Sequence, residues 1–206
     1  MQSVDGLIRK DLQITQKTDA IESLWSPDGR WLIFTSNSRL GGALDDLVAT
    51  QPSSPATRQV LVATKSWQES PTISPDGRFL AFNGNESGRS EVYVVPFPNA
   101  ATRKWKVSAE GGTEPRWSHS GKEIFFRDGS GNMVSVQVNT TPTFSIIGSS
   151  LLFPARKFVS WQWARQYDVS RDDRRFLMFR EVTDNRRQLV VVENFFDELT
   201  SKPSAH

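Results

Sequence analysis

The chain has 206 residues, 25 of them basic and 23 acidic, so a net charge of +2 with interleaved signs excludes a nucleic-acid surface built on a basic stripe. The absence of cysteine removes disulfides, thiolate nucleophiles and Cys-based zinc sites, and no apolar run approaches the roughly 18 residues of a membrane-spanning helix. Seven Trp and thirteen Phe supply large buried surface while thirteen Gly and eleven Pro supply frequent turns, a combination that predicts an all-β chain.

Met1 to Leu12 carry Asp5, Arg9, Lys10 and Asp11 and lack the apolar core of a secretory signal. Leu7-Ile8-Arg9 and Leu12-Gln13-Ile14 read as two short strands. A repeat then begins. Its first copy is Leu24-Trp25-Ser26-Pro27-Asp28-Gly29-Arg30-Trp31-Leu32-Ile33-Phe34, and its second is Thr72-Ile73-Ser74-Pro75-Asp76-Gly77-Arg78-Phe79-Leu80-Ala81-Phe82. The third is Arg116-Trp117-Ser118-His119-Ser120-Gly121-Lys122-Glu123-Ile124-Phe125-Phe126, and the fourth runs from Asp168 through Ser170 to Met178. Successive serines lie 48, 44 and 52 residues apart, the period of a four-stranded propeller blade.

Each copy predicts a strand ending at the serine, a tight turn and a second strand. Pro sets φ early in the turn, Asp bonds nearby backbone and Gly accepts positive φ. Ser26, Asp28, Gly29, Ser74, Asp76, Gly77, Ser118 and Gly121 are the structural turn residues on this reading. The fourth copy has Asp173 where glycine is expected, a residue that tolerates the left-handed region at some cost. The runs after the turn, such as Leu32-Ile33-Phe34 and Ile124-Phe125-Phe126, are continuously apolar. That suits a strand covered on both faces by neighbouring sheets. Third strands follow at Leu47-Val48-Ala49, Glu91 to Val95, Met133 to Val138 and Gln188 to Val192. Fourth strands follow at Val60-Leu61-Val62, Trp105-Lys106-Val107 and Phe144-Ser145-Ile146.

The expected organisation is a single domain over 1–200, with a partial blade over 1–16 and blades at about 19–63, 67–108, 112–147 and 163–193. A short helix is expected over 194–200, capped by Asn194, with a frayed tail over 201–206.

The Trp-Ser-Pro-Asp-Gly-Arg-x-Leu-x-Phe signature resembles the TolB-like, or WD40-like (PD40), β-propeller repeat family. Gly111-Gly112-Thr113-Glu114-Pro115, Tyr167-Asp168-Val169-Ser170 and Val191 through Leu199 resemble the C-terminal propellers of bacterial serine/threonine kinase-linked proteins. The resemblance implies an all-β propeller that closes with six to eight blades and a periplasmic or extracytoplasmic setting. Because the chain begins in mid-blade, a fragment of a larger propeller is the expected reading. A four-bladed ring closed by an N-terminal strand and pairing with another chain are the alternatives. An incomplete ring would leave apolar faces open to self-association.

Catalytic constellations are missing from the sequence. There is no Gly-x-Ser-x-Gly elbow and no kinase Gly-rich loop, His-Arg-Asp or Asp-Phe-Gly. His119 reads as a turn residue, because neighbours in a hairpin do not form a Ser-His pair with an orienting acid. Asp128-Gly129-Ser130-Gly131-Asn132 and Asn83-Gly84-Asn85-Glu86-Ser87-Gly88 begin like calcium loops but lack the closing bidentate Glu, and hairpin turns explain them. No metal or cofactor is expected. Trp161 and Trp163 read as packing caps before the last blade, with an exposed contact as the alternative.

Strand alternation singles out one polar row. Trp25, Ile73, Trp117 and Val169 should point between blades. Glu22, Ser70, Thr72, Glu114, Arg116, Gln166 and Asp168 should then fall on the other side and line a central channel, where a protein, peptide or small ligand is expected to bind, or where the row merely meets water. The leading expectation is a non-catalytic binding module. The alternatives are the propeller of a prolyl-oligopeptidase-like hydrolase and a TolB-like periplasmic interaction protein.

Overall fold

The computed structural model describes residues 19–37, 46–161, 164–182 and 186–193. Among them, the strands form four antiparallel sheets in chain order. The first holds β1 (Asp19–Trp25), β2 (Leu32–Asn37), β3 (Asp46–Gln51) and β4 (Ser54–Val62). The second holds β5 (Gln68–Ile73), β6 (Phe79–Gly84), β7 (Glu91–Pro96) and β8 (Trp105–Lys106), with a 3-10 turn at Ala100–Thr102. The third holds β9 (Gly112–Trp117), β10 (Glu123–Asp128), β11 (Asn132–Asn139) and β12 (Ser145–Pro154). The fourth holds β13 (Tyr167–Val169), β14 (Arg175–Val182) and β15 (Arg186–Glu193). These are propeller blades: each sheet is an up-and-down meander, and the first strands of neighbouring sheets, β1, β5 and β9, meet at the inside. No helix among the described residues is long and apolar enough to cross a membrane.

The turn after each first strand is built by the serine. Ser26 Oγ donates to Asp28 Oδ1 at 2.5 Å and accepts from Trp31 N at 2.9 Å, and Gly29 N closes on Ser26 O at 2.8 Å. Ser74 makes the same bonds to Asp76 and Phe79. Gly29, Gly77 and Gly121 have φ near +70°, the region where a side chain would be strained. Ser118 bonds to Ser120 Oγ and Glu123 N, with Ser120 standing where Asp is expected.

Three apolar interfaces hold the sheets together. Ile33, Leu47, Leu80, Phe82 and Tyr93 fill the first, Ala81, Val94, Trp117, Ile124 and Phe126 the second, and Phe125, Met133, Phe158, Phe176 and Met178 the third. Every residue of β6 is buried, as a strand sandwiched between two sheets requires. The same repeat positions recur: Phe82, Phe126 and Met178 face the preceding sheet, and Ile33, Ala81 and Phe125 face the next.

Some expectations need correction. β12 runs to Pro154 rather than ending near 147, because Gly148-Ser149-Ser150, which look like turn residues, pair with β11. Trp25 is exposed instead of lying between blades, since its repeat position faces a preceding sheet and β1 belongs to the first described one. Trp161 is 57% exposed, so it is not a buried packing cap. The strands expected before residue 19, the helix expected over 194–200, the tail and Trp163 lie outside the described residues.

Candidate functional site

The inner strands carry the polar row, but they are not regular. β1, β5 and β9 each slip register against the second strand of their sheet, at Ala20/Ser23, at Glu69/Thr72 and opposite Phe125/Arg127. The bulge residues include Ser70 at φ 50° and Glu114 at φ 56°. A bulge adds a residue and re-aims the side chain there, so two row residues two places apart, such as Glu114 and Arg116, no longer share a face.

Glu114 shows the result. Its carboxylate is 1% exposed, with Oε1 3.4 Å from Arg127 Nε and Oε2 accepting from Gln166 N at 3.0 Å. Arg127, equally buried, donates to Ala155 O at 3.0 Å and Val159 O at 2.8 Å. Tyr167 Oη lies 2.8 Å from Glu114 O and 3.1 Å from Phe125 O, and its burial pushes the phenol well above its ordinary range. Glu114 therefore joins the third blade to the entry of the fourth and does not face a channel. Removing one partner of such a buried pair costs about 3–5 kcal/mol, so Glu114 cannot be replaced without cost to folding. Ser70 and Thr72 are also buried, the latter with Trp117 N donating to its Oγ1 at 3.5 Å.

The rest of the row gathers around Arg165, which precedes β13. Arg165 Nη1 donates to Pro115 O at 2.9 Å, and Nη2 lies 3.4 Å from Glu22 Oε1 on the first blade. Burial pushes the Glu22 carboxyl above its ordinary value; Arg165 opposes this, Glu114 adds to it and the backbone N–H of Ser70 opposes it. Arg116 Nη2 pairs with Asp168 Oδ1 at 2.6 Å, with side chains 25% and 59% exposed. Burial draws the Arg116 guanidinium down, with Arg165 adding to the effect and Asp168 opposing it. Gln166 is half-buried and donates to the carbonyls of Ala164 and Arg165. The accessible part of the site is thus Arg116, Asp168 and Gln166 beside the Arg165–Glu22 pair.

Arg165, Arg127 and Tyr167 were not foreseen. Arg127 had a signal, a charged residue directly after the apolar run Ile124-Phe125-Phe126. Arg165 had none, since its partner Glu22 is 143 positions away. His119 Nδ1 faces Asp173 Oδ1 at 3.0 Å while Ser118 Oγ bonds to Ser120, so the two neighbours form no Ser–His pair. Asp128 Oδ1 accepts from Ser130 N and Asn132 N, bonds that shape a hairpin turn. The arrangement offers charged hydrogen-bonding groups at a rim and suits polar recognition.

No protein-family profile and no curated protein sequence matches the chain. Solved structures do. TolB from Acinetobacter baumannii superposes with a TM-score of 0.64 at 17% identity, over 92% of this chain and 44% of that one. The fold is that of the TolB-like β-propellers. A putative TolB from Agrobacterium tumefaciens superposes with a TM-score of 0.56 at 15% identity, over 83% of this chain and 60% of that one. A puromycin-hydrolysing peptidase from Mycobacterium tuberculosis reaches 0.64 at 19% identity, over 86% of this chain and 30% of that one. This chain therefore spans less than half of the Acinetobacter protein and less than two thirds of the Agrobacterium one.

Proposed function

We propose that this TolB-like propeller is a non-catalytic recognition module whose inner rim, at Arg116, Asp168 and Gln166, binds a protein or peptide. The observation that carries this reading is the Arg116–Asp168 pair. Two partly exposed opposite charges from neighbouring blades stand over a floor of buried ion pairs. A peptide can exchange its own charges into such a pair, while the packed floor keeps the rim preorganised. Ser70, Thr72, Glu22 and Glu114 support that floor. The finer assignment, a sensor or scaffold tail of a bacterial signalling protein such as a serine/threonine kinase, rests on the C-terminal sequence resemblance. The likeness to a peptidase favours a second reading, the propeller portion of a prolyl-oligopeptidase-like hydrolase.

Peptides selected from a random displayed library on the purified chain test the rim. Arg116→Ala and Asp168→Ala should each weaken a selected peptide about tenfold, roughly 1.4 kcal/mol, with the melting temperature within about 2 °C of the parent. Selected peptides that bind both variants as tightly as the parent would sink the proposal.

A further inference from the structure

We infer that β12 is a self-pairing edge through which two copies of this chain associate, antiparallel strand to strand. β12 is the outermost strand of the third sheet, and its outer side has no strand partner among the described residues. An edge strand presents a row of free backbone N–H and C=O groups, and proteins blunt such edges by shortness, proline or charge. The other outer edges among the described residues are blunted. β4 carries Arg58, whose guanidinium lies over the Phe34 ring at 5.4 Å and reaches Ser36 Oγ at 3.2 Å. β8 is two residues long and flanked by Arg103 and Lys104. β15 carries Arg186, Arg187 and Glu193 in its sequence. β12 is ten residues long, Ser145-Ile146-Ile147-Gly148-Ser149-Ser150-Leu151-Leu152-Phe153-Pro154, and has no charged residue. Its Ile146, Ile147 and Leu151 are 45%, 60% and 53% exposed.

The occupant follows from charge and from the order of residues along the strand. An antiparallel copy of the same strand repeats every charge across a two-fold axis, so a charged edge meets like charge near its centre, whereas β12 meets none. With the axis at Ser149, Ile147 of one copy stands opposite Leu151 of the other, and the small Gly148 and Ser150 face each other beside it. Ile147 and Leu152 are the extra residues of two bulges, and between them Gly148, Ser149, Ser150 and Leu151 keep unbroken register with Gln137, Val136, Ser135 and Val134. The backbone there is regular enough to extend the sheet. Pairing would turn two four-stranded sheets into one of eight and would cover the exposed isoleucines and leucines.

Light scattering coupled to gel filtration, over roughly 1–100 µM to capture a modest interface, should show twice the monomer mass for the parent chain. Ile147→Lys with Leu151→Lys should return the monomer with an unchanged far-ultraviolet dichroism spectrum. Because the sequence has no cysteine, Ser149→Cys gives a single reporter, which should form a disulfide-linked dimer on mild oxidation even where the lysine variant folds poorly. Val191→Lys, on the exposed face of the last sheet, should leave the dimer intact. A monomer at every concentration, a dimer indifferent to both lysines with no Ser149→Cys cross-link, or a dimer abolished by Val191→Lys alone would each overturn the inference.

Discussion

At the turns of the third and fourth repeats, two departures from the motif compensate each other. In the earlier junctions a glycine faces the proline of the preceding turn: a Cβ on Gly77 would lie 3.7 Å from Pro27 Cδ, and one on Gly121 3.5 Å from Pro75 Cδ. In the last junction His119 replaces that proline and Asp173 replaces that glycine. The histidine restores a backbone N–H, and Asp173 accepts it at Oδ1 at 2.7 Å while Oδ2 accepts from Ser120 N at 3.0 Å. A junction of a proline ring beside a glycine has become a charge-assisted hydrogen bond, at the cost of holding Asp173 at φ 59°. His119→Pro and Asp173→Gly should each destabilise, yet the double variant should lose less than their sum, leaving a coupling of about 1–2 kcal/mol. Urea unfolding of the four proteins measures it, and strict additivity would refute the pairing. The sequence alone shows that Asp173 tolerates positive φ. It does not show the pairing, because His119 and Asp173 are 54 positions apart and meet only when blades stack.

Within single sheets, the strands were readable because hydrophobic runs and Ser-Pro-Asp-Gly turns are local signals. The bulges of β5 and β9 do carry a local mark, Pro71 and Pro115 directly after Ser70 and Glu114, because a proline inside a strand signals a bulge or an edge; β1 has no such mark beside Glu22, and strict alternation assigned the polar row a face it does not share. The join between the second and third blades rests on another buried carboxylate. Glu91, at the start of β7, is 1% exposed. Ser108 Oγ donates to it, as do Arg89 Nε at 2.7 Å and Gly111 N at 3.2 Å, with Lys106 Nζ at 3.5 Å. Burial pushes this carboxyl up, but Ser108, Arg89 and Lys106 together outweigh it and hold it below its ordinary 4.5. A carboxyl lowered in the folded state stabilises above pH 4.5 and loses that contribution as pH falls through its folded value. Glu91→Gln should therefore lower the melting temperature at pH 7 and flatten its decline in acid. A parallel acid limb in parent and variant would contradict this account.

At the scale of the whole array, the repeat makes each inter-sheet boundary from the same two half-surfaces, and among the described residues one of each meets no further sheet. Leu177 and Phe179 on β14 stand opposite Val191 and Leu189 on β15, all exposed on the face that in earlier sheets meets the next one. Phe176 and Met178, one residue away on the opposite face, are fully buried. Phe176→Ala should cost about 3–5 kcal/mol, while Leu177→Ser should change the stability of the isolated chain by no more than about 0.5 kcal/mol. Comparable losses at both positions in thermal unfolding would mean the outer face is covered.

Arg165 gives this array a property that a simple stack lacks. In proteins made of repeated units, each unit leans only on its neighbours, and the ends can peel away one by one. Here a single guanidinium reaches from the doorway of the fourth unit to a carboxylate on the first and to a carbonyl on the third. Unravelling from the front must release that tether early, so the first and last units are thermodynamically informed of each other.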